Sequence, residues 1–363
     1  MAKSYTVNIS AHRNVYNNNL RTMNLYFSEP EQGVNKETGL LLFIAGYGGH
    51  ANSNVYKKMR DVFADQYNLV CIQCDYFGWE FMQHEELEES IDNFNDMTTM
   101  QALDNLTAVT MVIEILKDNN LDFNGRRIIA YGHSHGAYLT YLCNRLSPGL
   151  FSSIIDNSSY NYPMYLHYGR EISGGSTLSY LAGKTVLFPE LYDLVRLYDG
   201  FDNRAQILSW HGENDDMAPI EDKERLCAVT KGMKLERVRQ EHIRPDGAFT
   251  STRHGLNADF LKMFDLAFSA LVDMPEPYTL DDISIQVGRI GLHFSYNSGL
   301  IRLDLSNDGT LLGLLSHSIQ DDLASAIDKA MKYGSVSQHP EEQRAIAGIL
   351  VQLERVKEAF RLV

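Results

Sequence analysis

The run Arg127-Ile128-Ile129-Ala130-Tyr131-Gly132-His133-Ser134-His135-Gly136-Ala137-Tyr138-Leu139 decides how the rest of the chain is read. Its first part is a short continuous apolar stretch, the pattern of a strand covered on both faces. From about Gly136 to Leu146 the apolar residues take helical spacing. Between the two stands G-x-S-x-G. A turn that sharp drives the Ser134 side chain out of the sheet, and glycines at 132 and 136 leave room for the neighbouring strand and helix. The amide of His135, near the helix N-terminus, is placed to donate to a developing oxyanion. Ser134 is therefore a candidate nucleophile and His135 a candidate oxyanion donor.

Working outward, the same alternation of strand and helix repeats. Upstream, Tyr5 to Ser10 and Met23 to Phe27 alternate as half-buried strands around a turn-rich Asn17-Asn18-Asn19, an opening antiparallel pair. Leu40 to Ala45 is a continuous apolar run ending in Gly46-Tyr47-Gly48-Gly49-His50, and helical spacing follows over Asn54 to Tyr67. Val70 to Cys74 reads as the next strand and Met97 to Leu116 as a helix. Downstream, strands are expected at Ser153 to Asp156, Gln206 to Trp210 and Leu235 to Arg239. Helices are expected at Asp222 to Thr230 and Asn257 to Leu271. This order implies the α/β class, with a mostly parallel central sheet flanked by helices.

Two stretches depart from the repeat. Residues 160–203 separate two core strands, where a crossover needs far fewer. The stretch carries Tyr160, Tyr162, Tyr165, Tyr168, Tyr180, Tyr192 and Tyr198, with Gly174-Gly175 as a flexible point, and is expected to form a lid. After Met274-Pro275-Glu276-Pro277 the pattern changes to strands at Ile283 to Val287, Leu292 to Tyr296 and Leu300 to Leu305, with a hairpin turn at Asn297-Ser298-Gly299. Two helices follow, the last with Ile346, Ile349, Leu350, Leu353, Val356 and Phe360 on one face. The chain thus divides into a core of residues 1–274 and a C-terminal α+β extension of residues 275–363. The apolar helix face requires a partner, either the core or a second subunit in a homo-oligomer.

The 363 residues suffice for a large core, and 44% apolar with 22% charged residues is ordinary globular usage. A formal charge of -15 repels phosphate backbones and anionic lipid, so neither nucleic acid nor a membrane surface is the expected partner. The N-terminus leads straight into alternating residues with no leader-like apolar run, which points to the cytoplasm. Cys71, Cys74, Cys143 and Cys227 are too few and scattered for a disulfide framework. Cys71-Ile72-Gln73-Cys74 lies on a predicted strand, where residues three apart face opposite sides, so it forms no redox or metal site. The acidic run Glu85-Glu86-Leu87-Glu88-Glu89-Ser90 reads as a solvated helical face; it lacks the H-E-x-x-H spacing of a metal site. Gly46 to His50 lacks the spacing of a phosphate-binding loop.

The G-x-S-x-G between strand and helix resembles the α/β-hydrolase superfamily, in its serine esterase and peptidase branch, and the resemblance covers roughly residues 5–272. It implies that an acid and a histidine follow the serine in that order. Leu208-Ser209-Trp210-His211-Gly212-Glu213-Asn214-Asp215-Asp216-Met217-Ala218-Pro219 is similar to the superfamily's H-G-x-x-D-x-x-x-P loop, which points to Asp215, with Asp216 as rival and His211 as a structural loop residue. Arg253-His254-Gly255, between the last core strand and the final core helix, supplies the base, His254. The loop after the first parallel strand often reads H-G-x-G in relatives. Here alanine stands where the histidine usually does, which leaves the amide of Tyr47 as second oxyanion donor, with Gly48 as alternative.

The resemblance implies a serine hydrolase acting through an acyl-enzyme, with no metal or organic cofactor required. His133, His135 and the insertion's tyrosines suggest a pocket with hydrogen-bonding aromatic walls, suited to a sugar or an aryl group. Arg170, Lys184 and Arg196 are cations that can meet an anionic substrate. Cys74-Asp75-Tyr76-Phe77-Gly78 with Met100-Gln101-Ala102-Leu103-Asp104 is also similar to an uncharacterised bacterial family linked to surface-glycan genes, which implies an acylated sugar as the small-molecule substrate. Acyl transfer or peptide cleavage by the same triad, and a non-catalytic interaction protein on this fold, are the alternatives.

Overall fold

The computed structural model describes residues 1–15, 19–84, 89–90, 92–172, 175–185, 191–287, 290–297 and 300–305. The Asn17-Asn18 turn, Glu85 to Glu88, Gly174, the Ser298-Gly299 turn and the two C-terminal helices lie outside the described residues, as does the homo-oligomer expectation that rests on the last helix.

The strands of the core are β1 (Lys3–Ser10), β2 (Thr22–Glu29), β3 (Gly39–Ile44), β4 (Leu69–Cys74), β5 (Ile128–His133) and β6 (Ser153–Asn157). The insertion adds the short β7 (Arg170–Glu171) and β8 (Thr177–Leu178), and β9 (Gln206–Gly212) and β10 (Met233–Val238) complete the core. Eight of them form one sheet in the order β1-β2-β4-β3-β5-β6-β9-β10. β1 and β2 are antiparallel and β2 is antiparallel to β4; every other neighbouring pair in this sheet is parallel. The core helices are α1 (Asn54–Tyr67), α2 (Thr99–Asp118) and α3 (His135–Leu146). The insertion carries α4 (Tyr165–Tyr168), α5 (Leu181–Thr185) and α6 (Leu194–Tyr198); α7 (Ile220–Val229) and α8 (Phe260–Phe268) follow.

The continuous apolar strands are explained by cover on both faces. Along β3, Leu40, Leu42 and Ile44 belong to one buried cluster, with α2, α3 and the insertion; Leu41 and Phe43 belong to the other, with α1 and α8. Strand parity also separates Cys71 from Cys74, one in each cluster. Burial holds both thiols well above their ordinary range.

Two local readings change. The final core helix begins at Phe260 rather than Asn257, because Gly255, Leu256 and Asn257 have positive φ and Asp259 caps the helix, accepting from the N–H of Leu261 and Lys262. Glu89 is not a merely solvated residue: its carboxylate accepts from the N–H of Asn95 and of Leu181 in the insertion. Most of the insertion's tyrosines pack rather than face solvent, with Tyr160, Tyr180, Tyr192 and Tyr198 buried, Tyr162 and Tyr165 half-buried and Tyr168 exposed.

Beyond Pro277 the chain stays against the core. The N–H groups of Tyr278 and Thr279 donate to the carbonyls of Gly125 and Gly149. β11 (Ile283–Val287), β12 (Ile290–Asn297) and β13 (Leu300–Leu305) form an antiparallel three-stranded sheet. Its Ile285, Leu292 and Phe294 join the buried cluster over α2 and α3. Among the described residues no helix is long and apolar enough to cross a membrane.

Candidate active site

Ser134 lies between β5 and α3 with φ 51° and ψ -115°, a conformation an L-residue adopts only under constraint. The constraint is steric. A Cβ on Gly136 would stand 2.2 Å from the Ile44 carbonyl, and one on Gly132 would stand 2.3 Å from the Ala137 nitrogen. The end of β3 can therefore press against the first turn of α3, and the Ser134 N–H donates to the Asn157 carbonyl of β6 at 2.8 Å.

This geometry brings Ser134 to His254. Ser134 Oγ and His254 Nε2 are 2.7 Å apart, and His254 Nδ1 lies 2.9 and 3.1 Å from the two oxygens of Asp215. Asp216 is exposed. Asp215 is buried, which disfavours its charge, yet hydrogen bonds from His254 and from the Ala218 N–H outweigh burial and hold its carboxyl below the ordinary value. His211 completes the acid loop. Its Nε2–H donates to the Ala218 carbonyl at 2.6 Å and stands 3.3 Å from Asp215. Burial, then the Lys223 charge, lower the His211 pKa, so the imidazole is neutral.

The turn at Ser134, the elbow, carries two histidines, and His135 does not line a pocket. The ring of His135 is fully buried: its Nε2–H donates to Gln101 Oε1 at 2.7 Å, which leaves Nδ1 to accept from the Tyr160 hydroxyl. Gln101 is held in that orientation because its amide nitrogen donates to the Phe77 carbonyl and Asn95. Burial lowers the His135 pKa to about 3. What remains of His135 for chemistry is its backbone amide at the first position of α3, one of the amides that a helix leaves without an internal acceptor.

His133 is a residue whose part the sequence did not disclose. Its ring is wedged between the loop after β3 and the turn carrying His254. A Cβ on Gly46 would come within 2.7 Å of the ring, and one on Gly255 within 2.8 Å. Phe260 covers it at 5.0 Å between centroids. Burial, then the neighbouring His254, lower its pKa to about 4, and its Nδ1 has no partner among the described residues. Asn157 is the second such residue, since its carbonyl receives the Ser134 N–H and its amide donates to the Gly255 carbonyl at 3.4 Å. The only signal for either is position: one inside the elbow, one at the end of the adjacent strand.

Tyr47 follows β3 on the loop that Gly136 admits against the elbow. Its ring packs on Tyr165 at 4.4 Å, its hydroxyl meets that of Tyr180, and the Arg170 guanidinium lies 5.8 Å over the ring. Arg170 also donates to the Met82 carbonyl at 2.9 Å, so the insertion is fastened to this loop. Gly48 is exposed, and its carbonyl accepts from Gln83. Arg196 is largely exposed beside Asp193; the Lys184 side chain lies outside the described residues.

A family model described as "Protein of unknown function (DUF2920)" matches residues 80–188, from the turn after β4 through the elbow into the insertion. No curated protein matches the chain. Among solved structures, it is similar to an acylaminoacyl peptidase in complex with Z-Gly-Gly-Phe-chloromethyl ketone, with 16% identity and a TM-score of 0.52 over 77% of this chain and 43% of that chain. Pyrococcus horikoshii acylaminoacyl peptidase gives 13% and 0.51 over the same shares. Est1E from Butyrivibrio proteoclasticus, with ferulic acid bound, gives 17% and 0.45 over 69% of this chain and 96% of that chain. The chain spans less than half the length of the peptidases it matches. The likeness to the two peptidases and the observed topology agree on the α/β-hydrolase fold.

Proposed function

We propose that this α/β-hydrolase-fold protein is a serine hydrolase that cleaves an acyl ester through Ser134, His254 and Asp215. The observation that carries the reading is the continuous chain of contacts from Ser134 Oγ to His254 Nε2 at 2.7 Å and from His254 Nδ1 to Asp215 at 2.9 Å. In this scheme Ser134 Oγ attacks the acyl carbon while its proton passes to His254 Nε2. Asp215 keeps the Nδ1–H tautomer in place and balances the imidazolium. The amides of His135 and Tyr47 receive the oxyanion, each donor worth about 3 kcal/mol of transition-state stabilisation. His254 then returns the proton to the leaving alcohol. Water, deprotonated by the same imidazole, attacks the acyl-enzyme and restores Ser134.

For the substrate we propose an acylated sugar. The Tyr47 ring packs on Tyr165 and its hydroxyl meets that of Tyr180 where the insertion meets the oxyanion loop, which is hydroxyl-bearing aromatic surface suited to a sugar ring. The four free cysteines, three of them buried, support a reducing compartment, and on that ground we assign the protein to the cytoplasm. Hydrolysis of p-nitrophenyl acetate tests the scheme. Ser134→Ala is expected to lower kcat by roughly 10⁴-fold or more; a variant as fast as the unmodified protein would refute it.

A further inference from the structure

The carboxyl edge of the sheet carries a second concave feature. β4 ends at Cys74, and the chain turns through Asp75 to Trp79 against the start of β2, whose antiparallel course brings Asn24 beside Asp75. The resulting cleft is a broad groove open to solvent that offers about 630 Å³, with Asn8, Arg21, Asn24, Asp75, Trp79 and Asp92 in its walls. That is a volume typical of small-molecule sites. It lies on the rim that carries Ser134, since only β3 separates β4 from β5, and ligands of open α/β sheets collect at the carboxyl ends of strands. His50, three residues beyond Tyr47, links the Tyr47 loop to the cleft wall at Trp79 and Asp75. Its ring stacks on Trp79 at 4.1 Å, and its Nε2–H donates to Asp75 at 3.2 Å.

The walls are pre-organised. Asn24 and the Tyr26 hydroxyl both donate to one oxygen of Asp75, at 3.0 and 2.7 Å, and Asn8 donates to Asn24 at 3.2 Å. The Arg21 guanidinium is clamped on buried Asp104 by two bonds of 3.0 and 2.8 Å and lies 4.6 Å over the Phe77 ring. Its charge is thus already matched, while Asp75 and Asp92 leave the cleft negative, which repels an anion. Amide and guanidinium N–H donors alternate with carboxylate and amide oxygens in one groove. Hydroxyl groups, which both donate and accept, suit such a lining, and Trp79, stacked on His50 through one face, adds apolar indole surface to the wall.

We propose that this cleft binds an uncharged carbohydrate. Resting on the reading of Ser134 as nucleophile, we further assign it the sugar portion of the acylated substrate.

The test uses the full-length chain carrying Ser134→Ala, screened on a glycan array and by saturation-transfer NMR with cellobiose, xylobiose and N-acetylglucosamine, with spermine as a cationic probe. At least one neutral glycan should bind. Trp79→Ala or Asn24→Ala should weaken it at least tenfold, whereas Lys262→Ala on α8 should leave it unchanged. Should either cleft variant fail to fold, Asp92→Ala on the exposed rim replaces it. No glycan binding, binding indifferent to the cleft substitutions, or binding of spermine alone would each overturn the proposal. A monoacetate of the bound glycan should then show KM raised at least tenfold by Asn24→Ala, with a smaller change in kcat; an unchanged KM overturns the substrate assignment. The two readings fail separately. A fluorophosphonate that leaves Ser134 unlabelled ends the serine-hydrolase reading even if glycans bind, and normal labelling without glycan binding ends only this one.

Discussion

At Ser134 the backbone strain, the hydroxyl's exposure to the imidazole and the amide of His135 all follow from one turn, and His133 fills the space beneath it. That ring fits because residues 46 and 255 have no Cβ, and Gly255 also holds φ at 72°. Gly255→Ala is therefore expected to displace His254 and lower esterase kcat by about tenfold to a hundredfold, the usual consequence of an ångström-scale misplacement. Adding His133→Ala should recover part of the loss, a coupling that a double-mutant cycle measures. If the double variant is no better than the single one, steric wedging by His133 is not the cause. His133 and His135 also set a pH dependence. Both are held neutral in the fold, with pKa values of about 4 and about 3, whereas the unfolded chain protonates them near 6.5, roughly the free value. Their stabilising effect is complete above that pH and is withdrawn as pH falls towards the folded values, with a slope approaching about 1.4 kcal/mol per pH unit for each ring. Urea unfolding at pH 7 and pH 5 should show this decline, and His135→Gln should make it shallower; an equal decline in both proteins contradicts the assignment.

At the scale of elements, Asp156 at the end of β6 is a highly connected polar group among the described residues. Its carboxylate receives the Lys223 ammonium of α7 at 2.9 Å, the hydroxyls of Tyr141 in α3 and Ser209 in β9, and the Ser159 N–H. Burial alone would raise its pKa, but Lys223 and these donors outweigh burial and keep it below the ordinary value. Lys223→Met removes the countercharge of a buried carboxylate and should cost about 3–5 kcal/mol in urea unfolding. The Asp156→Asn, Lys223→Met pair should cost clearly less, and equal costs would mean the charge is not what matters. Nothing in the sequence disclosed this pair, because a single lysine in a helical window reads as surface and its carboxylate lies 67 residues away. Elements set by local pattern were legible: parity along β3 and β4, helical spacing in α1, and the strand–turn–helix context of Ser134. The choice of Asp215 over Asp216 rested on the resemblance of the loop alone, because neighbouring carboxylates on a loop differ only in which one the folded chain turns inward. The start of α8 was obscured by three consecutive positive-φ residues, only one of them a glycine. The cleft at the end of β4 is built from several segments of ordinary polar residues, none of which forms a motif by itself.

At the scale of the molecule, the sheet's two faces need different cover. One receives α1 and α8; the other is closed by α2, α3, the insertion and the strands beyond residue 280. A boundary at Met274 to Pro277 is natural in composition, yet Phe294 is fully buried in the main cluster. Phe294→Ala should thus destabilise the whole cooperative unit by about 3–5 kcal/mol. A loss below about 1 kcal/mol in urea unfolding would mean that the strands after residue 280 are an independent appendage. Chemistry at this rim depends on whether the serine is activated by its imidazole. Peptide mapping after exposure of the full-length protein to a fluorophosphonate measures that reactivity directly. The prediction is one stoichiometric adduct on Ser134, absent in Ser134→Ala and strongly slowed in His254→Ala. A folded protein that takes up no label, or carries it on another residue, would contradict it.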